Sequence, residues 1–370
     1  MNLRLTILLA GAALMICQPA SAQEKPSMKT RVVLEGADRY RVTEPVFEGA
    51  RVVLNYRGEK YSPAYIQGIS GQAFRIAGPC PCAPTCENAM GAQDLVGLLG
   101  YKFEWAQLFG EGVDPKERWP KVLERIKDEV RANRPAIVWN AFTTAEWDVV
   151  CGFDEEKKEF YGRGSYGRMQ SDEYTQADWM RAGTPNDVAP LVGAIFVGHK
   201  VGDFDAAAAE IAALREAVAH AHKVAVKGAL RVGLDCYDSW ITSYRNSGAL
   251  VRAKTRDGKD LGWVNAQPFD DFYPLEILPS TRRAASDFMK ELAAKYPGAK
   301  THLEIAAAEF ALESAALEAC RKALANRDQE LSDDQCAQAA GYLGQARAMY
   351  ALAIDEIGRA LPLLEKRPQG

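Results

Sequence analysis

The composition of this 370-residue chain changes after Asp203, and this change constrains the fold more than any other feature. Before it, short runs rich in β-branched and aromatic residues alternate with amphipathic segments, a pattern typical of strands and helices that pack together. After it, the sequence is rich in Ala and carries apolar residues at helical spacing. The pattern predicts an α+β domain over residues 23–202 and a mostly helical C-terminal region over 203–370.

Local signals place the elements of the first region. A helix over about 44–57 is predicted with Thr43 as its N-terminal cap, and Ser62-Pro63 starts a second helix. Asp114-Pro115 starts a longer amphipathic helix. Strands are predicted where apolar runs are bounded by turn residues, at 101–105, 136–140, 147–153, 159–163 and 189–200.

The second region reads almost entirely as helix. Ser332 and Gln335 form a capping box before the last helix, and residues 248–278 are a mixed, Pro-containing connection. Helices are predicted over 205–228, 233–246, 280–295, 300–326 and 332–364.

The N-terminus has the three parts of a secretory signal. Arg4 is followed by an apolar run, and Ala20-Ser21-Ala22 forms a small-x-small cleavage site, so residues 1–22 are predicted to be removed after Ala22. The apolar run is too short for a comfortable membrane anchor. A lipoprotein modified at Cys17 is disfavoured because Ile16 stands where such signals carry a small residue. We therefore expect a secreted or periplasmic protein.

Charge and hydropathy exclude several classes of partner. The chain has 45 Lys and Arg against 49 Asp and Glu, a net charge of −4, and no basic run that would favour nucleic acid. No stretch after the signal is apolar enough to span a membrane. No motif indicates a cofactor, so none is predicted.

The cysteines fall into two groups. Cys80, Cys82 and Cys86 form a cluster without a neighbouring His, whereas zinc usually takes four ligands from separated pairs. We therefore predict no metal site and favour disulfides or thiols, with the pairing of these three, Cys151 and Cys236 left open.

A disulfide between Cys320 and Cys336 is predicted from the helix pattern. The two residues lie at equal distances on either side of Asp328, in the turn of a predicted antiparallel helical hairpin. Helices that rise at the same rate bring such positions level. An exported protein meets the oxidising conditions that such a bond needs.

Several motifs occur in an order that resembles a known family. Val52–Gly58 reads VVLNYRG, Val149–Glu156 reads VVCGFDEE, and Gly68–Arg75 reads GISGQAFR. Glu146-Trp147 precedes the second motif, and Gly233–Trp240 follows later. Together they resemble the papain-like C39-type peptidase fold, and most closely the group related to the N-terminal domain of the butirosin-biosynthesis acyltransferase H. The resemblance implies a papain-like, C39-like α+β domain with a helical C-terminal extension.

The chain departs from this family at the two residues that define its activity. Counted back from the VVLNYRG motif, the catalytic Cys position falls within 45–47, which holds Pro, Val and Phe. The catalytic His position falls on Glu146. A thiol hydrolase needs a thiolate and a neighbouring base. The resemblance therefore implies the fold without thiol catalysis.

The residual cleft is predicted to be lined by Gln72, Arg75, Asn140, Glu146 and Trp147. One cation, one anion, amides and an aromatic wall would suit a small zwitterion, a sugar or a peptide end. Four of these residues also have a structural interpretation. Glu146 could be a surface carboxylate, Arg75 an ion-pair partner of Glu104 or Glu146, Trp147 a core residue and Asn140 a strand-end turn.

Three functions remain open on the sequence alone. The leading hypothesis is an exported, catalytically degenerate papain-like protein that binds a small molecule or peptide in the residual cleft. The first alternative is an active hydrolase or acyltransferase with an unorthodox catalytic residue such as Glu146. The second is a structural or interaction protein that acts through its helical half, whose apolar stripes could also form a homo-oligomer interface.

Overall fold

The computed structural model describes residues 30–78, 91–110, 112–166, 171–183, 193–224, 231–246, 250–254, 260–265, 272–324 and 331–366. The predicted signal at 1–22 and the cluster of Cys80, Cys82 and Cys86 lie outside these residues. Within them, no helix combines the length and the apolar character needed to cross a membrane.

A seven-stranded antiparallel sheet forms the centre of the first region, as the α+β prediction expects. Its order is β3–β8–β4–β5–β6–β7, and β1 pairs with the C-terminal half of β5. The strands are β1 (Arg31–Val33), β3 (Tyr101–Gln107), β4 (Ala136–Trp139), β5 (Trp147–Asp154), β6 (Glu159–Arg163), β7 (Thr175–Asp178) and β8 (Gly193–Lys200).

Helices pack against the sheet where its strands are most apolar. Every residue of β4 and β5 is buried, which agrees with their β-branched and aromatic sequences. Helices α1 (Pro45–Tyr56) and α4 (Pro115–Arg131) both contact these two strands. Trp119 and Ile126 are buried on α4, as its helical spacing predicts.

The remaining elements include short helices and the predicted helical region. Helices α2 (Pro63–Ile69) and α3 (Ala92–Leu98) precede β3, and one-turn 3₁₀ helices lie at Gln72–Phe74 and Pro297–Ala299. Two small antiparallel sheets have two strands each: one pairs β2 with β9, and the other is the hairpin of β10 and β11. The other elements are β2 (Ala77–Gly78), α5 (Ala206–Ala221), β9 (Arg231–Val232), α6 (Gly233–Arg245), β10 (Leu250–Lys254), β11 (Asp260–Asn265), α7 (Phe272–Lys295), α8 (Lys300–Ala323) and α9 (Asp333–Glu365).

Two predicted helix boundaries are wrong. Helix α7 begins at Phe272 rather than at residue 280, because the chain continues as a helix through Pro279. Proline usually ends or kinks a helix, since it lacks an N–H and crowds the preceding turn. Here the preceding turn is held by the burial of Leu275 and Leu278. Helix α5 ends at Ala221, seven residues before its predicted end.

A buried ion pair joins the helical region to the segment after α2. Arg282 Nε lies 2.6 Å from Glu313 Oε1, and both side chains are fully buried. Arg282 also donates to the carbonyl oxygens of Ala73 at 2.7 Å and Arg75 at 3.0 Å. The Tyr237 hydroxyl donates to Glu313 at 2.5 Å. Helices α6, α7 and α8 therefore fix the backbone at Ala73–Arg75.

Helices α8 and α9 form the predicted antiparallel pair. His302 near the start of α8 lies 2.6 Å from Glu356 near the end of α9. At the other end, Cys320 Sγ lies 3.9 Å from the carbonyl oxygen of Ala339. Cys336 is buried one turn before Ala339. Both residues are buried thiols in the structure, so their disulfide stays a prediction for the oxidised protein.

Candidate functional site

A buried carboxylate caps the first helix of the fold. The N-terminal cap of α1 is Glu44, not Thr43 as predicted from the sequence. Its carboxylate accepts hydrogen bonds from the backbone N–H groups of Val46 at 3.1 Å, Phe47 at 2.8 Å and Glu48 at 3.2 Å. Glu side chains are usually exposed to solvent. Glu44 is buried instead because the otherwise unpaired N–H groups and the positive end of the helix attract its carboxylate.

Glu44 is fully buried, and burial controls its protonation. Loss of solvent raises its pKa to about 7, although the hydrogen bonds from Gln67 and from the helix N-terminus work in the opposite direction. The Gln67 side chain comes from α2, and its Nε2 donates to Glu44 Oε2 at 3.2 Å. Gln67 Oε1 is also buried and has no hydrogen-bond partner among the described residues.

The second carboxylate stands on the turn between β4 and β5. Asn140 has a left-handed backbone with φ of 56°, which Asn tolerates better than most residues. Its N–H donates to the carbonyl oxygen of Glu146 at 2.7 Å, and Ala145 N–H donates to its Oδ1 at 3.2 Å. Its Nδ2 donates to the carbonyl of Arg181 at 3.1 Å. Asn140 thus closes the turn that carries Glu146, which favours its structural interpretation.

Asp148, in β5, holds the same turn through hydrogen bonds. Its buried carboxylate accepts from the N–H groups of Phe142 and Thr143, each at 2.7 Å, and from that of Ser165 at 2.8 Å. Burial raises the pKa of Asp148 to about 6, and these hydrogen bonds oppose the rise. The bonds tie the end of the β4–β5 turn to the chain after β6, where Tyr166 lies.

Glu146 is half-buried and electrostatically coupled to Glu44. Burial raises its pKa to about 8; the negative charges of Asp148 and Glu44 add to the rise, and a hydrogen bond with Tyr166 opposes it. At neutral pH the Glu146 carboxyl is therefore mostly protonated. The Glu44 carboxyl thus lies within electrostatic range of Glu146, although the two residues are far apart in the sequence.

Aromatic side chains pack beside Glu146. Trp147 is almost fully buried, and its ring makes edge-to-face contacts with Trp139 at 5.4 Å and Trp105 at 6.1 Å between centroids. Neither Trp139 nor Trp105 has a hydrogen-bond partner for its indole N–H within the described residues. Trp147 is therefore a core residue at the edge of the candidate site.

Arg75 and Gln72 lie on the segment that Arg282 holds. Arg75 is buried, and its guanidinium lies 2.9 Å from Glu216 and 2.6 Å from His220 Nδ1, both on α5. Its ion-pair partner is thus Glu216, rather than either carboxylate considered from the sequence. Burial and the Arg75 charge lower the pKa of His220 to about 3, so this histidine is neutral. Gln72 is buried in the 3₁₀ turn.

The sequence pointed to Glu146 and Trp147 but missed Glu44 and Gln67. A search for a nucleophile at 45–47 passes over Glu44, one position upstream. The available signal was the Glu-Pro pair, because Pro at the first helical position makes the preceding residue the cap. Gln67 carries no local signal, since its role depends on how α2 packs beside α1.

Two of the thiols in the described part of the chain are poorly suited to act as nucleophiles. Cys151 is buried in β5, and burial raises the pKa of its thiol to about 12, which suppresses thiolate. Cys236 is likewise buried, with its pKa raised for the same reason. Among the described residues, no three His, Cys, Asp or Glu side chains are grouped as a metal site would require.

Comparisons with protein-family models and with curated proteins found no relative. No protein-family model matches the chain. No curated protein matches it significantly. Any assignment of function therefore depends on the motifs of the sequence and on the geometry of the Glu44–Glu146 region.

Proposed function

We propose that this protein is an exported, catalytically degenerate papain-like protein that binds a small molecule or peptide at the Glu44–Glu146 region. One observation carries the proposal. The buried carboxyl of Glu44 caps the first helix, one position before the expected thiol site at 45–47, and the carboxyl of Glu146 stands just before β5, at the expected imidazole position.

The hydrogen bonds of Glu44 argue against thiol chemistry in this region. In thiol hydrolases the N-terminus of a helix stabilises a thiolate. Here three backbone N–H groups of that turn already bind the Glu44 carboxylate. The N-terminus of this helix therefore stabilises a carboxylate instead of a thiolate.

The electrostatics of the region support a ligand-binding role. Two carboxyls with raised pKa values lie within electrostatic range of each other, and Glu146 reaches solvent. Such arrangements cost stability, and strongly perturbed groups gather at functional sites more often than elsewhere. The Trp147 cluster supplies an apolar boundary of the kind that ligand sites use.

The second candidate function is acid–base catalysis by the carboxyl pair. The pKa values of about 7 for Glu44 and about 8 for Glu146, both raised by burial, lie near neutral pH. General acids and bases work best when their pKa is close to the working pH. An active hydrolase or acyltransferase would then use Glu146 as the acid and Glu44 as the base.

The test is a search for a ligand that co-purifies with the mature protein from its native host, by native mass spectrometry. The wild type should carry a ligand that Glu146→Gln loses. The matched control is Glu304→Gln on α8, whose side chain is 56% exposed and which undergoes the same charge change. Retention of the ligand by Glu146→Gln would contradict the proposed site. Turnover of the recovered ligand would favour the catalytic alternative.

A further inference from the structure

A cleft at one edge of the sheet lies apart from the candidate site described above. Strand β3 ends the strand order, and the cleft is formed by β3, β8, α4 and the end of α1. Its volume is about 530 Å³, which falls within the range of small-molecule sites. Helix α1 runs from its cap at Glu44 to its cap at Arg57, so the cleft and the candidate site lie at opposite ends of this helix.

The charges that line this cleft do not balance. Glu129 is buried, and its carboxylate is shared between Arg125, whose Nε lies 2.7 Å away, and Arg134. Glu104 is exposed and lies 3.3 Å from Arg125, in a surface ion pair of the kind that contributes little. Among the described residues that line the cleft, four cations face two carboxylates, an excess of two positive charges. They are Arg57, Lys102, Arg125 and Arg134 against Glu104 and Glu129.

Arg57 is held in place with one edge of its guanidinium unused. Its Nη1 donates to the carbonyl oxygens of Val197 at 2.8 Å and Gly198 at 2.5 Å, and the group packs over the ring of Tyr101. Its Nε and Nη2 have no hydrogen-bond partner in the part of the chain that the structure describes, and they are not buried. The Nε–Nη2 edge of Arg is the fork that binds oxyanions through two parallel hydrogen bonds.

A β-bulge brings Lys102 close to the carbonyl that holds Arg57. Strand β8 has one more residue than β3 at this point, so Gly198 and His199 together face Lys102. A Cβ atom added to Gly198 would lie 2.6 Å from Lys102 Cβ, so the Lys102 stem crosses directly over this glycine. Lys102 is exposed and forms no ion pair with any described residue. Two cations without a carboxylate partner therefore meet at the bulge.

We propose that this cleft is a second binding site, whose ligand is a phosphate monoester held by Arg57 and Lys102. A phosphate monoester has a second pKa of about 6, so at neutral pH it carries the two negative charges that match the cleft. Two of its oxygens can accept from the Arg57 fork while a third binds the Lys102 ammonium. Phe103, in the wall of the cleft, offers apolar surface to the organic part of the ligand.

Other anions match the cleft less well. A carboxylate fits the Arg57 fork but brings only one charge, and a sulfate ester has the shape of a phosphate ester with one charge fewer. The site shares no residue with the Glu44–Glu146 region. Failure of either proposal therefore leaves the other standing.

The test is titration calorimetry on the full mature protein at pH 7, with phenyl phosphate, phenyl sulfate, benzoate and inorganic phosphate as probes. Phenyl phosphate should bind at least about tenfold more tightly than phenyl sulfate or benzoate, because each of these carries a single charge. It should also bind more tightly than inorganic phosphate, which has no apolar part. Added salt should weaken its binding.

Two variants test the two cations. Lys102→Gln and Arg57→Lys should each weaken phenyl phosphate binding by about fivefold or more, the first by removing a charge and the second by removing the fork. Lys102→Gln changes an exposed side chain without an ion pair, so the fold should not change. The matched control is Lys157→Gln, in the exposed turn between β5 and β6, which should bind as the wild type does.

The comparison among probes uses the wild type and does not depend on whether a variant folds. Phenyl sulfate or benzoate binding as tightly as phenyl phosphate would overturn the proposal. Inorganic phosphate binding as tightly would indicate a site for free phosphate and overturn the ester. Phenyl phosphate that does not bind, that ignores both Lys102→Gln and Arg57→Lys, or that is weakened equally by Lys157→Gln would also overturn it.

Discussion

Replacing Glu146 by Gln should stabilise the protein at alkaline pH and leave its stability at acidic pH unchanged. Burial raises the Glu146 pKa from its usual value near 4.5 to about 8, so the folded state holds a proton that the unfolded state releases across that range. At about 1.36 kcal/mol per pH unit, the cost of ionising Glu146 reaches about 5 kcal/mol above pH 8. Relaxation of solvent and side chains should reduce this cost, so we expect a measured destabilisation of about 2–4 kcal/mol.

The sign follows from linkage. Below about pH 4.5 the Glu146 carboxyl is protonated in the folded and unfolded states, so it does not change the free energy of unfolding. Above about pH 8 it is ionised in both states, and the buried charge destabilises only the folded state. Urea unfolding of the wild type, Glu146→Gln and Glu304→Gln at pH 4.5, 6.5 and 8.5 measures the effect. A Glu146→Gln advantage that does not grow with pH, or one matched by Glu304→Gln, would refute the reasoning.

Three further outcomes are expected. Generic peptide and thioester substrates should show no turnover that iodoacetamide abolishes; alkylation-sensitive turnover would establish thiol catalysis. Non-reducing peptide mapping of the exported protein should find Cys320 joined to Cys336, a bond worth about 3 kcal/mol from loop entropy, and recovery of both thiols would disprove it. Arg282→Met should destabilise the fold by about 3–5 kcal/mol because it leaves the Glu313 charge buried without its partner. Adding Glu313→Leu should recover part of that loss. An Arg282→Met variant as stable as the wild type would contradict the role of this pair.

The sheet was the most predictable part of the fold. The runs at 136–140 and 147–153 became β4 and β5 within one residue, because continuous β-branched and aromatic residues bounded by turns have few alternatives. Helix ends were harder. Pro279 looked like a boundary, yet tertiary burial of the turn before it outweighs its local effect.

The site shows a sharper limit of sequence reasoning. Glu146 could be inferred because its position follows from a motif with fixed spacing. The partner of Arg75 could not, because Glu216 lies 141 residues away and only the packing of α5 selects it over other acids. Glu44 was missed for a different reason: a carboxyl becomes chemically notable only when burial and a helix terminus act on it together.

The most direct test of the central claim is a crystal structure of the mature protein purified from its native host. We expect a bound molecule with a polar group in hydrogen-bonding contact with Glu146. A structure in which Glu146 bonds only to protein groups, with any bound molecule elsewhere, would contradict the proposed site.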